Sequence, residues 1–144
     1  MQGFQFNHIA LAVKDVNESI AFYQKVFGFD EIENTASNSK TRWLSLHEGK
    51  ELHLIPRPEA TVQVVKEVHF AFSTKNIHSF ASHLSALHLP YFDWLGKKSK
   101  IHIRKDGTKQ LYFQDPNGYW LEVNDADKTQ KRHSSCAGRS NKSS

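Results

Sequence analysis

The chain has 144 residues, 24% of them charged, and a net charge of +4. That length lets one domain fold without disulfides or a structural metal, and the single cysteine, Cys136, excludes disulfide frameworks, thiolate zinc sites and iron–sulfur clusters. The charge is local: residues 126–144 hold five basic side chains against one acid, so residues 1–125, with fourteen of each, are neutral. Nucleic acid is therefore not expected as a partner, and 126–144 reads as a polar, basic, disordered tail. The apolar run Ile9–Val13 is far shorter than the about 20 residues that span a bilayer, and no basic flank precedes it. A cytoplasmic protein with no membrane partner is expected.

The first predicted element is a strand over Phe4–Val13, where polar and apolar residues alternate. Asp15 is placed to cap a helix, with Glu18 three residues on as its capping-box partner and Val16, Ile20, Tyr23 and Phe27 as the apolar stripe; Gly28 ends it. Strands are predicted at about 29–33, 41–47 and 51–55, the last two joined by a turn at Glu48-Gly49-Lys50, and Pro56 and Pro58 close the unit. A second strand–helix pair follows, over 67–74 and from Ile77 through Phe80, Ala81, Leu84 and Leu87. Strands are then predicted at 91–95, 100–104, 110–114 and 119–124. Asp115-Pro116-Asn117-Gly118 is a hairpin turn, since Pro presets φ and Asn-Gly accepts positive φ.

The chain repeats itself. Asn7-His8-Ile9-Ala10 and the residues after it align with Val68-His69-Phe70-Ala71 at an offset of 61, whereas Trp43-Leu44 and Gly49…Leu52-His53-Leu54 align with Tyr112-Phe113 and Gly118…Leu121-Glu122-Val123 at an offset of 69. The second copy thus has eight extra residues, placed in the 97–106 region. Each copy reads βαβββ, which gives an α+β fold of two tandem modules, 4–57 and 66–125, in one domain over 1–125.

Strand parity turns this repeat into a candidate site, because residues two apart share a face. Ile9, Leu11, Val13, Phe70 and Phe72 form the apolar faces that pack under the helices, which sends His8 and His69 to the opposite side, each followed by small residues. In the closing strands Leu52, Leu54, Leu121 and Val123 take the helix side and send His53 and Glu122 the other way. Three imidazoles and one carboxylate suit one divalent ion, Ni, Mn, Co, Fe or Zn, with one or two positions open for water or substrate. Trp43, Ser45, Tyr112 and Gln114 share the inward parity and are expected to bind a small-molecule substrate. No dinucleotide, nucleoside triphosphate or serine-hydrolase motif occurs.

The segments NHIALAVKDVNESIAFYQKVFGF, EVHFAF and YFQDPNGYWLEV resemble the vicinal oxygen chelate superfamily, which holds glyoxalase I, extradiol dioxygenases, epimerases, fosfomycin-modifying enzymes and bleomycin-resistance proteins. The resemblance implies that the two modules form a curved mixed sheet around a metal-binding cavity. It carries the metal positions over as His8, His69 and Glu122, with His53 where glyoxalases and epimerases place a carboxylate or amide. It implies a metal-dependent lyase, isomerase or transferase that chelates vicinal oxygens of its substrate and stabilises an oxyanion or enolate, with ring-cleaving dioxygenase chemistry behind it. Threonine is common two residues after the first histidine in fosfomycin thiol transferases; Ala10 stands there, which weakens the antibiotic-resistance reading. The alternative is a non-catalytic drug- or toxin-binding protein of the same fold. A homodimer is expected, because such modules leave sheet edges that need covering.

Overall fold

The computed structural model describes residues 2–127; Cys136 and nearly all of the predicted basic tail lie outside the described residues. Ten elements follow in chain order: β1 (His8–Val13), α1 (Val16–Phe27), β2 (Glu31–Ile32), β3 (Arg42–Ser45), β4 (Glu51–Pro56), β5 (His69–Ser73), α2 (Ile77–Ala86), β6 (His102–Ile103), β7 (Lys109–Gln114) and β8 (Trp120–Asn124). This is the tandem βαβββ order of an α+β chain. The strands form two four-stranded sheets, ordered β1-β4-β3-β2 and β5-β8-β7-β6. Two compact units divide the described chain: one runs to His69 and includes Gln114–Trp120, and the other comprises Phe70–Phe113 and the residues from Leu121 onward.

In the first unit β1 lies parallel to β4, and β3 lies antiparallel to both β4 and β2. Helix α1 starts as its sequence dictates. Asp15 is extended and its Oδ1 accepts from the amides of Asn17 (2.9 Å) and Glu18 (3.2 Å), satisfying donors that the helix itself leaves open. Gly28 ends the helix at φ 71, a conformation that carries no penalty without a Cβ. The helix buries Ile20, Tyr23 and Val26 on the sheet face that presents Leu11, Val13, Leu44, Leu52 and Leu54. Each such side chain removed from water contributes about 1.5 to 3 kcal/mol before entropy is charged against it.

The second unit repeats the plan. Asn76 caps α2 by accepting from the Ser79 amide (3.0 Å), and Ile77, Ala81 and Leu84 are buried with Leu111, Phe113, Leu121 and Val123.

Two predicted strands differ from the fold. Phe4–Asn7 does not pair as strand, and Phe4 and Phe6 are exposed. The strand expected over 91–95 reduces to one bridged residue, Phe92, which meets both Lys98 and Tyr112. The cause lies next to it: the buried Asp93 accepts from the Lys97 amide through Oδ1 (2.7 Å), and Gly96 at φ 91 reverses the chain. Residues 93–98 therefore loop back, next to the 97–106 stretch in which the repeat alignment places its extra length.

The Asp115-Pro116-Asn117-Gly118 turn forms as expected, closed by Gly118 N to Asp115 O at 3.0 Å, with the positive φ at Gly118 (86) instead of Asn117. Its side chains also belong to the core of the first unit. Asp115 Oδ2 accepts from the buried Tyr23 hydroxyl (2.8 Å), Asn117 Oδ1 accepts from the Lys14 amide (2.9 Å), and Tyr119 donates to the Ala12 carbonyl (2.8 Å).

Candidate metal centre

Sheet register brings part of the expected site together in the first unit. Ala10 is the partner of His53, and His53 of Trp43, so these three positions share one face across β1, β4 and β3; one step along, His8, Glu51 and Ser45 form the next row. The rings stack. Trp43 and His53 lie 4.1 Å apart between centroids at 4°, and His53 and His8 lie 4.2 Å apart at 15°, so His53 is held between two flat neighbours.

Each candidate histidine has one ring nitrogen engaged with an oxygen. His8 Nδ1 meets Asn7 Oδ1 at 2.6 Å, His53 Nε2 meets Glu51 Oε1 at 3.1 Å, and His69 Nδ1 meets the Lys66 carbonyl at 2.7 Å. A carbonyl or carboxylate oxygen can only accept, so the imidazole donates there, and a neutral ring that donates from one nitrogen carries its lone pair on the other. A neutral ring at these positions would carry its lone pair on Nε2 of His8, Nδ1 of His53 and Nε2 of His69. Metal-binding histidines are held in the same way, with the second nitrogen donating to a carboxylate or a backbone carbonyl.

Glu122, in β8, is buried and held at both of its oxygens. Its Oε1 accepts from Gln110 Nε2 and from the Tyr112 hydroxyl, both at 2.6 Å, and its Oε2 accepts from Asn124 Nδ2 at 2.6 Å. Gln110 also donates to the Tyr112 oxygen. Burial, then the bond to Glu122, pushes the Tyr112 phenol well above its usual value, which keeps it protonated as a donor. Tyr112 carries the inward parity expected from the sequence. Gln110 is absent from that expected set, although it shares its strand parity with Tyr112.

Three further expected residues are tied locally. Ser45 Oγ accepts from the His47 amide (3.2 Å), Gln114 Nε2 donates to the Gly118 carbonyl (3.0 Å), and Tyr112 packs against Trp94 with centroids 5.3 Å apart. Trp43 remains a flat wall beside His53. The donor chemistry fits a first-row divalent ion, since two or three imidazoles and one carboxylate supply it without thiolates. Among the described residues of a single chain, no three His, Cys, Asp or Glu side chains are already gathered as a metal-holding group.

A sequence model of the Glyoxalase/Bleomycin resistance protein/Dioxygenase superfamily matches residues 5–123. The chain is similar to Glyoxylase I 4 of Arabidopsis thaliana, 31% identical over 84% of this chain and 70% of that protein. It is also similar to the metallothiol transferase FosB of Staphylococcus haemolyticus, 30% identical over 81% of this chain and 80% of that one. Among solved structures, Oxidase ChaP-H2 superposes with a TM-score of 0.72 at 22% identity, covering 88% of this chain and 96% of its own. The fosfomycin resistance protein FosX of Listeria monocytogenes gives 0.71 at 20% identity, covering 93% and 99%.

Proposed function

The chain belongs to the Glyoxalase/Bleomycin resistance protein/Dioxygenase superfamily, and from that membership and the state of its donors we infer an enzyme that holds one divalent metal ion through His8, His53, His69 and Glu122. The observation that carries this reading is shared by all four residues. Every imidazole has one nitrogen held by an oxygen acceptor, and the carboxylate accepts three side-chain hydrogen bonds. Imidazoles and carboxylates oriented from behind are what a first-row ion selects.

The bound ion would chelate two neighbouring oxygens of a small substrate and stabilise the oxyanion or enolate that develops on them. The chain's own groups do the rest. Trp43 offers a flat apolar wall next to His53, Ser45 a hydroxyl one row away, and Gln114 an exposed amide. Tyr112, Gln110 and Asn124 hold the Glu122 carboxyl group in a fixed orientation. The relatives called glyoxylase and metallothiol transferase direct the reaction class to isomerase, lyase or transferase chemistry ahead of ring-cleaving oxygenation. Antibiotic modification is kept only as one member of that class. The functional domain is taken as residues 1–125, acting in the cytoplasm as a homodimer on a small molecule.

Elemental analysis of protein purified without chelator, followed by titration with Ni²⁺, Mn²⁺, Co²⁺, Fe²⁺ and Zn²⁺, tests this. The expected result is about one ion per chain, lost in His8→Ala, His69→Ala and Glu122→Ala. Absence of bound metal together with no uptake of any of the five ions would replace the enzyme by a small-molecule binding protein of the same fold. Oxygen consumption with catechols would move the assignment to a dioxygenase.

A further inference from the structure

We propose that a second site, separate from the metal donors, lies in the first unit at the carboxyl ends of β1 and β4 and binds a small oxyanion. The cleft there has a volume of about 140 Å³, and its polar lining is Lys14, Arg57, Thr61 and Asn117, with Ala60 and Val62 among its apolar walls. A water occupies about 30 Å³ in the liquid, and pockets for whole cofactors or drug-sized ligands run from about 300 Å³. The cleft therefore takes an inorganic phosphate or the phosphate or carboxylate end of a small molecule.

Register explains why two cations meet here. The β1–β4 pairing ends at Val13 opposite Pro56, and the Arg57 amide donates to the Val13 carbonyl at 2.8 Å. Lys14 and Arg57 are thus the next residues along two parallel strands, which run about 4.8 Å apart. Like charges placed side by side across a sheet destabilise it. Among the described residues no carboxylate forms an ion pair with either of them, and none lines the cleft; Glu59, in the same loop, is not part of the lining. A bound anion would relieve that repulsion.

The frame is rigid. Asn117 Oδ1 accepts from the Lys14 amide (2.9 Å) and its Nδ2 donates to Ser19 Oγ (3.1 Å), so Asn117 is fixed in the wall of the cleft. One Nη1 bond of Arg57 goes to the Pro56 carbonyl (2.7 Å), which fixes the guanidinium over the strand end and leaves its other N–H groups as donors in a fork suited to an oxyanion. The Thr61 hydroxyl and the Lys14 ammonium complete the donor set. His8 stands five residues back along β1 from Val13, about 16 Å away at strand rise, so an anion in this cleft is not the group that the metal would chelate.

Titration of the ¹⁵N-labelled full chain with inorganic phosphate, with sodium chloride at matched ionic strength as reference, tests the assignment. Amide shifts are expected at Lys14, Arg57 and Thr61, saturating in the low millimolar range, and phosphate should raise the melting temperature. The Lys14→Gln, Arg57→Gln double variant should bind at least about tenfold more weakly and lose the phosphate-dependent rise, whereas Lys40→Gln should behave as the parent. Tighter binding of propyl phosphate than of inorganic phosphate would identify an end group packed against Ala60 and Val62; equal binding would identify the free anion. No shift beyond the chloride reference, or equal shifts in the double variant, would overturn the proposal. No metal enters these measurements, so their outcome is independent of metal uptake.

Discussion

Replacement of Tyr23 by Phe isolates one buried bond. Tyr23 is fully buried, and its hydroxyl donates to Asp115 Oδ2 at 2.8 Å, while Asp115 Oδ1 accepts from the amides of Asn117 (2.9 Å) and Tyr119 (3.0 Å). Burial raises the Asp115 carboxyl above its usual value, and the Tyr23 bond is the largest influence pulling it back, ahead of the backbone amides. Phe keeps the ring packing and deletes only the donor. A hydrogen bond to a buried charged group contributes about 1.5 to 3 kcal/mol, so about 2 kcal/mol should be lost at pH 7, on the order of 8 °C in melting temperature for a chain of this size.

The pH dependence separates this cause from a generic packing defect. A carboxyl whose folded value lies above its unfolded value of about 3.9 stabilises the chain below that value and loses the contribution as pH rises through the folded one. Tyr23→Phe raises the folded value further. Its deficit should therefore be largest at neutral pH and shrink on acidification, as Asp115 becomes protonated in both proteins. Urea unfolding of parent and variant between pH 7 and pH 4.5 measures the difference, in which other titrating groups cancel. A deficit that stays constant across that range, or one below about 0.5 kcal/mol at pH 7, would refute the reasoning.

His53→Ala should lower metal affinity by about one to two orders of magnitude if its Nδ1 is a ligand; unchanged metal content with altered turnover would make it a wall residue held between Trp43 and His8. Tyr112→Phe removes one of two donors to Glu122 Oε1 and should weaken metal binding by about tenfold while leaving the fold intact, as read by calorimetric titration. Asp15→Ala deletes the cap of α1 and should cost about 1 kcal/mol in chemical unfolding, with no change in metal content. Light scattering at tens of micromolar should give the mass of a dimer; a monomeric mass combined with one ion per chain would place all the donors in a single chain.

What was legible in the sequence follows strand parity and caps, both set by residues close together in the chain. Leu52 and Leu54 are buried and His53 shares a face with Ala10 and Trp43, as alternation requires. Asp15 bounds α1 through its capping carboxylate and Gly28 through its lack of a Cβ. The strand expected over 91–95 failed because alternation in Tyr91–Leu95 carries no sign of Asp93 folding back to the Lys97 amide. Extension of β1 to Phe4 failed because its pairing partner β4 begins at Glu51, opposite His8, and the ladder ends at the Asn7 carbonyl, which accepts from the Glu51 amide at 3.1 Å.

The turn at 115–118 shows where local reading stops. Each of its residues suits a turn, and that alone accounts for Pro116, Asn117 and Gly118 in the sequence. Yet Asn117 also accepts the Lys14 amide, and Asp115 also takes the Tyr23 hydroxyl, contacts that lie 103 and 92 residues apart in sequence. In the sequence Tyr23 is one member of an apolar stripe, because periodicity reports which face a residue takes and is blind to the hydroxyl at its tip. A buried phenol needs a partner, and a turn carboxylate that folds inward must find a donor. Two locally unremarkable residues with opposite requirements identify each other only when the fold brings them within hydrogen-bonding distance, and the same reasoning applies to Gln110 and Glu122, whose pairing fixes the carboxylate proposed to hold the metal.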